Sequence, residues 1–169
     1  MPSSVLIVGT LALDDIETLS AKRTDIVGGA GYYAAMAATL FAPVNLVGVI
    51  GDDFPQNALE MLSARGADIA GVETVPGRQS FHWSGKYHLD MNTRDTLDTR
   101  LNVLADFNPV LPDSYRHTPY LFLANITPAL QLAVLEQMAV EAFVACDTTH
   151  SPFSSRPPQI WQDGRVLIS

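Results

Sequence analysis

A run of glycines, Gly28-Gly29-Ala30-Gly31, opens the apolar stretch Tyr32-Tyr33-Ala34-Ala35-Met36-Ala37-Ala38. Glycines let backbone come close to a ligand and adopt positive φ, and a helix start presents amides without intrahelical partners. Three chemistries fit such a cluster: a ligand held against backbone, tight packing of a helix on a sheet, or dinucleotide binding. The last has its own pattern here. Gly29-Ala30-Gly31-Tyr32-Tyr33-Ala34 satisfies G-x-G-x-x-A, and Asp52 and Asp53 follow roughly 20 residues later, where a ribose-binding acid belongs. Against it, only Ile26-Val27 is available as the strand that should precede the fingerprint.

Asp14 ends Gly9-Thr10-Leu11-Ala12-Leu13-Asp14, just beyond the run Val5-Leu6-Ile7-Val8. A carboxylate beyond the carboxyl end of a parallel strand faces the crevice where α/β proteins hold ligands. Ionised, it accepts from two hydroxyls at once, which suits a polyol; otherwise it is an exposed turn acid. Asn125 follows Leu121-Phe122-Leu123-Ala124 and Asp147 follows Phe143-Val144-Ala145-Cys146, each at a similar place. Asn125 reads as ligand-facing, and Asp147 equally as a ligand group or a helix cap. His82, His88, His117 and His150 show no zinc-like spacing, so no metal site is expected. Cys146 lies on a buried strand and reads as a packed thiol.

The elements that position these groups alternate strand and helix. Val5–Gly9 and Leu46–Ile50 read as buried strands, 31–42 as a helix apolar on nearly every face and ended by Pro43. A helix starts at Pro55 with Asp53 as N-cap and closes at Gly66; another starts at Thr127-Pro128, with strands at 120–124 and 142–146 on either side. This order predicts a parallel sheet with helices on its faces. Between lies another texture. Phe81, Trp83, Tyr87 and Leu89 alternate with polar residues, Asn92 to Asp95 forms a turn, and Leu97, Thr99, Leu101 and Val103 alternate again. Period two predicts an antiparallel hairpin burying one face, with 14–27 adding a strand pair. Its aromatic stripe must cover a ligand site or a second subunit.

Composition narrows the classes. The chain has 169 residues, 47% hydrophobic and 17% charged, with a formal charge of −8. One globular domain is expected, and nucleic acid is set aside because phosphate-backbone affinity rests on Lys and Arg. A single cysteine and an N-terminus without a basic region predict a cytoplasmic protein, and no apolar stretch is long enough for a bilayer.

From Val5 to Thr148 the chain resembles the N-terminal part of the PfkB (ribokinase-like) carbohydrate and nucleoside kinases, on the glycine signature, on Gly9…Asp14, on Gly48-x-x-Gly51-Asp52-Asp53 and on the inserted hairpins. The resemblance implies a ribokinase-like, Rossmann-like parallel sheet flanked by helices with a small antiparallel β lid, the lid segments at about 14–27 and 78–104. It implies transfer of the γ-phosphoryl group of ATP, with Mg²⁺, to a sugar or nucleoside hydroxyl. By position it makes Asp14, Gly28, Gly29, Tyr33 and Asn125 substrate-binding, and it makes the lid a homodimer contact. Ala12 and Tyr33 stand where the family has asparagines, so ribose specificity does not carry over. The family's catalytic Gly-Ala-Gly-Asp motif is absent from the sequence. Residues 149–169, with Ser151-Pro152-Phe153 and Pro157-Pro158, read as an atypical tail of a truncated, frame-shifted or naturally short chain. The expectation is a substrate-binding half, inactive alone and holding no nucleotide productively. A non-catalytic sugar-binding module and an NAD(P)-binding oxidoreductase fragment are the alternatives.

Overall fold

The computed structural model describes residues 3–147 and the strand Val166–Ile168. Six strands make one parallel sheet: β1 (Val5–Val8), β4 (Val44–Gly51), β5 (Ala67–Val75), β8 (Tyr120–Leu123), β9 (Phe143–Cys146) and β10 (Val166–Ile168). Their order is β10-β9-β8-β1-β4-β5, with Val5 in register with both Val44 and Tyr120. The central strands are apolar without alternation because both faces are covered. Leu6 and Val8 enter one core with Val47, Leu121, Leu123 and Val134, while Ile7 enters the other with Leu46, Tyr32, Ala35 and Leu62. Helices α1 (Ala30–Ala38) and α2 (Gln56–Ala64) contribute to the Ile7 side. On the Leu6 side sit α3 (Pro128–Leu135) and a stretch of two 3-10 turns, Asn102–Asp106 and Asp113–Tyr115, which fill it with Val103, Phe107, Leu111 and Tyr115.

A second sheet has the order β3-β2-β6-β7, from β2 (Ala12–Glu17), β3 (Lys22–Gly28), β6 (Phe81–Tyr87) and β7 (Arg94–Arg100). It is the expected lid: two antiparallel hairpins, one from each inserted segment, joined edge to edge by a parallel β2–β6 pairing.

One strand carried no expectation, and three expectations need correction. Strand β5 had no signal of its own, because an edge strand with Asp68 and Glu73 among its apolar residues lacks a clean period. Helix α1 stops at Ala38 rather than running to residue 42: the next turn tightens, with the amide of Phe41 donating to Ala38, and leaves Phe41 85% exposed. The hairpin turn is built two residues earlier than expected, by Asp90, whose carboxylate accepts from the amides of Asn92 and Thr93. Leu101 and Val103 accordingly fall beyond β7, where Asn102 takes a left-handed φ of 46° and Val103 drops into the core.

The atypical tail lies outside the described residues except for β10, which continues the sheet beside β9. Among the described residues no helix is long and apolar enough to cross a membrane.

Candidate functional site

The glycine cluster is explained first by what it packs against. Gly29 precedes α1 with φ 97°, and a Cβ there would strike the carbonyl oxygen of Thr10. Gly31 rides on the backbone of Gly9, where a Cβ would come within 2.9 Å of the carbonyl carbon. The amides of Ala30 and Gly31 donate to Thr10 Oγ1 (3.0 Å) and to the Thr10 carbonyl (2.9 Å). The helix start expected to offer free amides is therefore spoken for at these two positions, and Thr10, which carried no signal in sequence, is the reason. These residues do not fit a nucleotide phosphate at this helix.

Gly28 has a different neighbour. Its missing side chain makes room for the carboxylate of Asp14. Asp14 does not sit in a turn after β1; it is the third residue of β2, so the lid sheet itself carries it. Burial pushes its carboxyl up from 3.8 to about 6, partly offset by His82, while the charge of Asp15 adds to the rise. Trp83 is its register partner on β6, which places both on one face of the lid. Phe81 and Tyr87 share that face by alternation, and the Trp83 indole lies across Gly85. Trp83 is fixed by an Nε1–H bond to Thr96 Oγ1 (3.2 Å) and by the Arg94 guanidinium, 5.8 Å from its ring centre. The expected aromatic stripe thus lines the side from which Asp14 is reached.

Tyr33 is 56% exposed, and its hydroxyl donates to the Val27 carbonyl (3.0 Å), bracing β3 against α1. Asn125 is half-buried just past β8, beside the place where Ala124 touches Gly9, at the sheet end that also carries Thr10. Asp147 lies just past β9, its amide donating to the Leu123 carbonyl (2.8 Å). Between the two strand ends reaches Gln131 of α3, 1% exposed, donating Nε2–H to the Asp147 carbonyl (3.2 Å) and more distantly to Ala124 (3.5 Å). A single amide in the apolar helix Pro128–Leu135 was the available signal for this clamp. Burial raises the pKa of the Cys146 thiol, as suits a packed residue.

The opposite face of the lid carries a polar cavity of about 300 Å³, lined among others by Asp15, Asp25, Asp53, Ser80, His82 and Arg100. Donor atoms of Asp15, Asp25 and His82 lie within 4.8 Å of one another, although the histidines show no metal spacing in sequence. Asp15 Oδ1 is already engaged there, by the Asp25 amide (3.0 Å) and His82 Nε2 (3.3 Å), and these contacts hold its carboxyl below the usual range.

Asp53 does not cap α2. The residue at that cap is Pro55, and Asp53 bonds Ser80 instead. The dinucleotide pattern also fails on position: the strand before the glycines is β3, which belongs to the lid and runs antiparallel to β2. A dinucleotide fingerprint requires a strand of the parallel sheet there.

No family model matches the chain. A cytidine kinase from Thermococcus kodakarensis is 29% identical over 135 residues, taking in 79% of this chain and 48% of that protein. A ribokinase from Cryptococcus neoformans, solved with ADP, superposes with a TM-score of 0.64 at 21% identity, over 90% of this chain and 51% of that one. A nucleoside kinase from Methanocaldococcus jannaschii gives 0.66 at 18% identity, over 88% and 53%. That of Burkholderia thailandensis, in complex with inosine, gives 0.66 at 19%, over 85% and 52%. The fold is thus that of the ribokinase-like sugar and nucleoside kinases, and the chain resembles a part of them. It spans about half the length of these relatives.

Proposed function

We propose that this chain is the substrate-binding half of a ribokinase-type sugar or nucleoside kinase. The observation that carries the reading is the half-buried Asp14 carboxylate, presented over Gly28 on a lid strand and flanked by the aromatic face of β6. Such a group takes two neighbouring hydroxyls of a furanose, and the aromatic face supplies apolar cover for the ring or an attached base. Gly28 and Gly29 bring backbone close to the bound sugar, and Asn125 and Tyr33 face it from the sheet end and the helix. In the whole enzyme, ATP with Mg²⁺ supplies the phosphoryl group. Transfer needs a positioned nucleophile and charge stabilisation at the phosphate, which these residues do not provide. The single cysteine suits a cytoplasmic setting.

The test is calorimetric titration of the purified 169-residue chain with ribose, cytidine, inosine and adenosine, with ADP formation followed in parallel. Saturable binding of one of these without ADP above background is the expected result. Turnover by the chain alone refutes the inactive half, and no binding by any of the four refutes the substrate site.

Leu89, Leu97 and Leu101 stand exposed along the β6–β7 arm, which favours a second reading, a binding module that pairs two copies through the lid. Sedimentation should then show a dimer that Leu97→Glu converts to monomer; a monomeric wild type removes this reading.

A further inference from the structure

The β6–β7 arm leaves the core and returns to it at one small cluster. Ser80, the residue before β6, is 0% exposed and held on three sides. Its amide and its hydroxyl both donate to Asp53 Oδ1 (2.7 Å each), and its Oγ accepts from the Gly51 amide at the end of β4 (2.9 Å). Its carbonyl accepts from Asn102 Nδ2 (2.8 Å), just after β7. The neighbours repeat the pattern. The Asp52 amide donates to the Arg78 carbonyl (3.0 Å), the Val103 amide to the Gln79 carbonyl (3.1 Å), and the Arg78 guanidinium to the Asn102 carbonyl and the Asp106 carboxylate. Both feet of the arm are thereby tied to each other and to β4.

We infer that Asp53, acting through Ser80, is the positioning residue of the lid. The chain of contact runs from Asp53 to Ser80, along β6, and across the β2–β6 ladder to Asp14, whose register partner is Trp83. One carboxylate oxygen takes two charge-assisted bonds from a residue with no exposure, so the foot of β6 has one place to stand. If that bond is lost, β6 keeps its ladder with β2 and β7 but loses its fixed height above the sheet end, and Asp14 moves with it. The effect on ligand rests on the proposed substrate site; the effect on the arm does not.

Hydrogen exchange on the full chain without ligand tests the inference. Asp53→Ala should speed exchange of the β6 and β7 amides by about 10-fold or more while leaving β1 and β4 unchanged, because the lost bonds act on a local opening. Asp53→Asn, which keeps an acceptor oxygen in place, should restore most of the protection. Ser80→Ala keeps its amide on Asp53 but loses both Oγ bonds, to Asp53 and from the Gly51 amide, so it should also speed exchange of the arm. Unchanged arm exchange in Asp53→Ala overturns the inference, and so does loss of protection in β1 and β4 together with the arm in both Asp53→Ala and Ser80→Ala. Because no ligand enters the measurement, failure of the substrate reading leaves this result standing, and the reverse also holds.

Discussion

Asparagine in place of aspartate at position 14 is expected to yield a chain that is more stable at pH 7 and, on the proposed function, binds a sugar or nucleoside roughly 10- to 150-fold more weakly, the range given by losing one charge-assisted hydrogen bond. The two effects share a cause. Burial lifts the Asp14 carboxyl from 3.8 to about 6, so between those values the folded chain holds a proton that the unfolded chain has released. Stability therefore falls as pH rises through that window, and the full penalty is present at pH 7. Asparagine removes the ionised group and with it the penalty, a gain on the order of 1 kcal/mol after allowance for the solvent that still reaches the carboxylate. Thermal unfolding should show the variant above the wild type at pH 7, the two converging below about pH 4. Binding should run the other way: wild-type affinity is full at pH 7 and declines as pH drops through about 6, where Asp14 becomes protonated, whereas that of the variant stays flat. A variant no more stable at pH 7 than the wild type would remove the buried charge from this account.

The glycines beside it should separate folding from binding. Valine at position 29 meets a φ of 97° and drives a Cβ into the carbonyl of Thr10, the same oxygen that receives the Gly31 amide. Neither obstacle can swing aside, because both are backbone. A loss of about 3 kcal/mol or more is expected, lowering the melting temperature by roughly 6–12 °C. Alanine at position 28 meets only the tip of the Asp14 side chain, which can rotate away. Its cost in stability should be small, yet it displaces the carboxylate proposed to bind hydroxyls, so affinity should drop about 10-fold or more for one lost charged contact. Equal melting losses in the two variants would mean that Gly28 serves packing rather than Asp14.

The core was legible in sequence because β1 and β4 are buried on both faces and so carry unbroken apolar runs, and because Pro55 and Pro128 mark helix starts. The lid was legible through its alternation, up to the residue where Asn102 turns left-handed and the alternation stops meaning strand. What sequence hid was pairwise and distant. Asp53, two residues before Pro55, reads as a cap until Ser80 is seen to sit on it, and Thr10 looks inert until α1 is folded over it. Strand β5 was hidden for the opposite reason, since an edge strand with one wet side resembles a loop in composition.

The parallel seam of the lid has a consequence for the order of folding. Hairpin β2–β3 is made early in the chain, but its partner across the seam, paired from Ala12 to Phe81, arrives only after α1, β4, α2 and β5 have been passed. Contacts that distant close late, because the loop between them must be ordered before the pairing returns any free energy. The Asp14 face is thus completed after β1, β4 and β5 are in place but before β8, whose pairing of Tyr120 with Val5 is more distant still, and a nascent chain that has not yet reached β6 carries its carboxylate on an unpaired strand edge.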